Sequence, residues 1–63
     1  MTSSAVVARN RLNSLEYLVR NVGPVEWAVS AEAAARFETF REATRAAMRL
    51  PSNVRAFAMP AGS

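Results

Sequence analysis

Apolar residues recur at helical spacing along the first third of the chain. Ala5, Ala8, Leu12, Leu15, Val19 and Val22 follow one another at steps of 3, 4, 3, 4 and 3, and Leu18 widens the stripe. A stripe of this period forms one apolar face of an α-helix, here predicted from about Ser4 to Val22. Thr2, Ser3 and Ser4 supply hydroxyls suited to capping its first turn. Glu16 and Arg20 fall at i,i+4 in the favourable order, while Asn10 and Asn13 lower the helix propensity.

Gly23-Pro24 punctuates the pattern. Glycine closes helices in the left-handed conformation, and proline suits the first turn of a new one. The second stretch keeps a helical stripe through Val25, Val29, Ala33, Phe37, Phe40, Thr44, Ala47 and Met48. It predicts a helix from Pro24 to about Arg49, either continuous with a kink at Ser30 or broken there, since Ser30 is an equally good cap. Glu32 and Arg36 form another i,i+4 pair. Arg45 and Arg49 suit the carbonyl end of the helix. Leu50-Pro51 stops it, because the residue before proline is pushed out of the α region.

The expected architecture is therefore all-α. Residues 1–50 form an antiparallel helical hairpin, and residues 51–63 form an irregular C-terminal tail. The tail carries two Pro, one Gly and two Ser, yet also Val54, Phe57 and Met59, so it either folds back over the hairpin or docks elsewhere. A domain of this length buries only about 60% of its unfolded surface. A two-helix hairpin leaves apolar surface uncovered, so a second copy or another protein is expected to complete it.

Composition narrows the chemistry. The 63 residues contain no Cys, His, Asp or Lys, and their charge comes from five Glu and eight Arg, for a net +3. Without Cys there is neither a disulfide framework nor thiolate chemistry. Without His the commonest general base and metal ligand is missing. No nucleophile–base pair is apparent among Glu, Arg, Ser, Thr and the single Tyr17. The expectation is a non-catalytic protein with no cofactor and no metal. The N-terminal stretch lacks the order of charge and apolar run of a signal peptide. No run approaches the roughly 20 apolar residues of a membrane span. A cytoplasmic location with no membrane contact is expected.

Two groups of side chains stand out as candidates for contact with a partner. Arg41, Arg45 and Arg49 are spaced i, i+4, i+8 and form one column on the second helix. In the expected hairpin they share one half of the molecule with Arg9, Arg11 and Arg55, offset there only by Glu38 and Glu42. Such a surface is either a solvated, partly paired face, a site for an acidic protein, or a seat for a nucleic-acid backbone. The other group is aromatic. Phe37 and Phe40 are i,i+3 neighbours and suit a hairpin or dimer core. Trp27 lies off their stripe and is the best candidate for an interface anchor, a role in which Trp and Arg are over-represented. The tail segment with Phe57 can serve as a docking peptide. The function these residues suggest is protein interaction through the second helix and the tail, by a regulator, inhibitor, adaptor or accessory subunit. The partner-binding set is Trp27, Phe37, Phe40, Arg41, Arg45, Arg49 and Phe57. The alternative is a homodimeric nucleic-acid binder using the arginines.

Overall fold

Val6 and Val7, which the helical stripe passes over, are among the most deeply buried residues of the protein. The computed structural model describes residues 4–20 and 24–61, and in it residues 5–11 are a strand. The element order is β1 (Ala5–Arg11), β2 (Ser14–Arg20), β3 (Glu26–Ala28), a 3-10 turn (Ala31–Ala33), α1 (Phe40–Met48), a second 3-10 turn (Ser52–Val54) and β4 (Phe57–Pro60). The strands form one antiparallel sheet in the order β3-β2-β1-β4. The expected all-α helical hairpin is thus wrong, and so is the irregular tail: the fold is a four-stranded sheet with one α-helix. The predicted caps Thr2 and Ser3 and the helix end at Val22–Gly23 lie outside the described residues.

The reason lies in the centre of the sheet. β1 is flanked by strands on both edges, and its first four residues are covered on both faces as well, by α1 on one and by neighbouring side chains on the other. Ala5, Val6, Val7 and Ala8 are all buried. A short continuous apolar run is what a fully buried strand requires, and a helical count can sample every third or fourth member of it without seeing the run. β-branched Val6 and Val7 suit a pleated surface. Leu12 and Asn13, taken above as helix interior, instead form the tight turn between β1 and β2. The ladder runs down to Arg11↔Ser14, leaving a two-residue loop. Both loop residues have positive φ, 51° at Leu12 and 69° at Asn13. Positive φ at both positions belongs to the type I′ turn, whose twist matches that of the flanking strands. Asn tolerates this region, whereas Leu enters it at a cost of about 1 kcal/mol.

Sheet alternation separates two faces. On one, Ala5, Val7 and Leu18 join Ala43, Ala46 and Ala47 of α1 in the main core, with Trp27, Phe37, Leu50, Ala56 and Ala58 packed around them. Val7 and Leu18 are fully buried. On the other face, Val6 and Ala8 lie between their cross-strand neighbours Tyr17, Phe57 and Met59.

The expected second helix is divided. Trp27 and its neighbours are the edge strand β3. Ser30 is not a kink; it caps the 3-10 turn, its Oγ accepting from the Glu32 N–H at 3.3 Å. The chain then runs extended beside the start of β1. Ala5 already has Pro60 of β4 opposite it, and on its other edge it exchanges two backbone hydrogen bonds with Phe37, at 3.0 and 2.8 Å. This arrangement accommodates Pro60. Because the N–H and C=O of Ala5 are committed to Phe37, the absence of a proline N–H leaves no donor missing from the ladder.

Only Phe40–Met48 is α-helical. Its start is set by Thr39, whose Oγ1 accepts from the Glu42 N–H at 3.1 Å, the first half of a T-x-x-E capping box. Its end falls just before Leu50-Pro51. The predicted i,i+4 pairs are absent, since no helix carries them. Glu16 pairs with Arg9 across the hairpin, Arg20 approaches Glu26 at 3.9 Å, and Glu32 makes no ion pair with Arg36 among the described residues.

Candidate interaction surface

α1 is amphipathic in an unusual sense. The side chains it turns to the sheet are the methyl groups of Ala43, Ala46 and Ala47. Alanines let the helix backbone approach the sheet closely while contributing little apolar area. The large side chains of the helix remain outside: Phe40 is 55% exposed and Met48 77% exposed. Arg41, Arg45 and Arg49 are exposed as well. On a helix, residues 41 and 45 point almost directly away from the centre of the alanine face, with Met48 beside them. Phe40 lies on one flank of this ridge, and Arg49 with Glu42 on the other.

Shallow grooves run along both flanks. One has a cavity volume of about 250 Å³ and is lined by Phe37, Glu42, Arg45, Ala46 and Arg49. The other, also about 250 Å³, lies between the end of α1 and the following turn, and its lining includes Met48, Leu50, Pro51 and Arg55. The helix therefore stands as a cationic ridge between two hollows, each with an apolar residue at its edge.

The arginines of the ridge form no ion pair among the described residues. Among the described residues the ion pairs are Arg9–Glu16 and Arg20–Glu26, and neither involves α1. Like charges at i,i+4 repel by a few tenths of a kcal/mol per pair. A complementary anion would relieve that repulsion.

Of the sequence-predicted residues, the structure brings Phe37, Phe40, Arg41, Arg45 and Arg49 together on and beside α1. Phe37 is half-buried, packs on the core and lines one of the grooves. Trp27 lies elsewhere, in β3 on the same face of the sheet. Its indole lies under the Arg9 guanidinium, 4.3 Å from centroid to Cζ, and the ring packs against the core. Phe57 sits on the opposite face of the sheet, next to Ala8. Met48 is the surface residue that the sequence reading misses, whereas Arg55 stands on the exposed basic side as expected. Met48 was assigned to the buried stripe, although its neighbour Ala47 already occupies the inward position. A helix confined to residues 40–48, with the alanines inward, turns Met48 outward.

Among the described residues no group of three carboxylates gathers that could hold a metal ion. Among the described residues no helix is long and apolar enough to cross a membrane. Comparison with family models, curated proteins and solved structures finds no match to this chain.

Proposed function

We propose that the protein is a non-catalytic interaction module that binds an acidic protein surface through the outward face of α1. It would act as a regulator, inhibitor, adaptor or accessory subunit of a larger complex. The observation carrying this reading is the inversion of α1: alanines face the core, while Phe40, Met48 and three arginines that form no ion pair among the described residues face outward. Aromatic, Met and Arg side chains are the types enriched at protein interfaces. The column from Arg41 to Arg49 is about 12 Å long at 1.5 Å per residue. That length suits a row of carboxylates on a partner helix or strand. Phe40 and Met48, both on the flank beside Arg41, supply the apolar contact that exposed ion pairs lack on their own.

The test is affinity capture from the native host with the wild-type chain and with Arg41→Glu/Arg45→Glu/Arg49→Glu. The reading predicts a partner that the wild type retains and the reversed variant loses, with the circular dichroism spectra of the two superimposable. An identical captured set would refute it. The arginines also admit a nucleic-acid backbone. A mobility shift that weakens steeply between about 50 and 200 mM salt would replace the protein partner with that one.

A further inference from the structure

The sheet face turned away from α1 holds a cavity of about 410 Å³, and the interaction surface makes no use of it. Its floor is apolar: Val6 from β1, Tyr17 from β2, and Met59 and Pro60 from β4. Its rim is charged, with Glu32 and Arg36 contributed by the segment that links β3 to α1.

The backbone explains how these groups meet. Phe37 is paired with Ala5 and packs into the main core on the α1 side. In an extended segment the preceding residue points to the opposite face, so Arg36 is turned toward the cavity. Ser30 caps the 3-10 turn through the Glu32 N–H and so fixes the backbone that carries the carboxylate. Glu32 and Arg36 are exposed, and neither forms an ion pair among the described residues.

The site thus offers one acceptor carboxylate, one guanidinium and an apolar floor between β-strands. The charges exclude several ligand classes. A phosphate would meet one Arg but also the repulsion of Glu32. A metal ion would find a single carboxylate. A purely apolar ligand would cover the floor but draw nothing from the two charges at its edge. The geometry points to a small zwitterion with an apolar body, that is, an α-amino acid with an apolar side chain. Its carboxylate takes the Arg36 guanidinium, its ammonium takes the Glu32 carboxylate, and its side chain covers Val6 and Met59 beside the Tyr17 ring. The cavity volume falls in the range of about 300–1,000 Å³ usual for small-molecule sites. The proposal is independent of α1, which lies on the other face of the sheet.

The experiment is a titration of the full ¹⁵N-labelled chain with L-leucine and with L-phenylalanine, followed by amide chemical shifts. The expected result is saturable shifts at Val6, Tyr17, Arg36 and Met59, with a Kd of about 1 mM, in keeping with what so few ligand atoms can supply. N-acetyl-L-leucine, which lacks the ammonium, and L-leucine methyl ester, which lacks the carboxylate, should each bind about tenfold more weakly, the loss of one charged contact. Glu32→Gln and Arg36→Gln should do the same to L-leucine. Both positions are exposed, so the amide spectra of these variants should otherwise overlay the wild type. Absence of saturable shifts, saturation confined to α1 amides, or unchanged binding by the blocked ligands or by both Gln variants would each overturn the proposal.

Discussion

Arg9 and the arginines of α1 show one residue type used in opposite ways. Arg9 is held by two groups. Its Nε and Nη2 donate to Glu16 Oε1 at 2.9 and 2.7 Å, and its guanidinium plane covers the Trp27 indole at 4.3 Å. Both side chains of that ion pair are about four-fifths buried. Arg9 thereby closes the part of the sheet face flanked by β3. Arg41, Arg45 and Arg49 are solvated and unpaired among the described residues, and they project from a helix anchored by alanine. Where the fold needs an arginine, it gives that arginine a carboxylate and a ring. The α1 column has neither, which is why it reads as a surface facing outward to a partner and not as part of the scaffold.

The comparison can be broken at its foundation. Leu18 is fully buried beneath both regions, between Trp27 and the α1 alanines. Leu18→Ala should cost about 2–5 kcal/mol in urea unfolding, the range for a buried leucine truncated to alanine. In so small a domain that is enough to abolish the folded baseline. A midpoint close to wild type would mean that the sheet and α1 do not share this core.

The next change separates the two arginine sets directly. Arg9→Ala removes a largely buried ion pair and a cation–π contact, and should cost about 1–2 kcal/mol. Trp27 fluorescence should shift to the red as the ring loses its cover. At the helix start, Thr39→Ala should cost about 1 kcal/mol by leaving the Glu42 N–H without its cap. Thr39→Ser should restore most of that loss.

In the other direction, replacing Leu12-Asn13 by Asn-Gly should raise the unfolding midpoint. Asn-Gly is the preferred pair for a turn with two positive φ values, and the gain should be about 1 kcal/mol. Arg41→Gln, Arg45→Gln and Arg49→Gln, singly or together, should move stability by less than about 0.5 kcal/mol, with the triple variant slightly stabilised in low salt. A loss from the triple variant comparable to that from Arg9→Ala would erase the distinction between the two sets.

The parts of this molecule that rest on local signals were legible in the sequence. The helix stop at Leu50-Pro51, the capping oxygen of Ser30 and the i, i+4, i+8 arginine column depend only on near neighbours. Thr39 and Glu42 carried a capping box that would have started α1 at Phe40 had it been weighed against the longer stripe. The sheet was not legible in this way. Its β1–β4 ladder joins Ala5–Ala8 to Phe57–Pro60, at opposite ends of the chain, and no local pattern records that pairing. The β1–β2 turn depends on Leu12 adopting a conformation its side chain disfavours. The i,i+3/i+4 spacing of Ala5, Ala8, Leu12 and Leu15 was real, but it crossed that turn. The residues between them, Val6 and Val7, were the stronger signal.

The most direct test of the α1 assignment is photo-crosslinking in the host with p-benzoylphenylalanine placed at Met48, or at Leu15, an exposed position on the face of the sheet turned away from α1. Adduct formation with a protein partner at position 48, competed away by high salt and absent at position 15, is the predicted result. A partner captured at position 15 and not at position 48 would contradict the account.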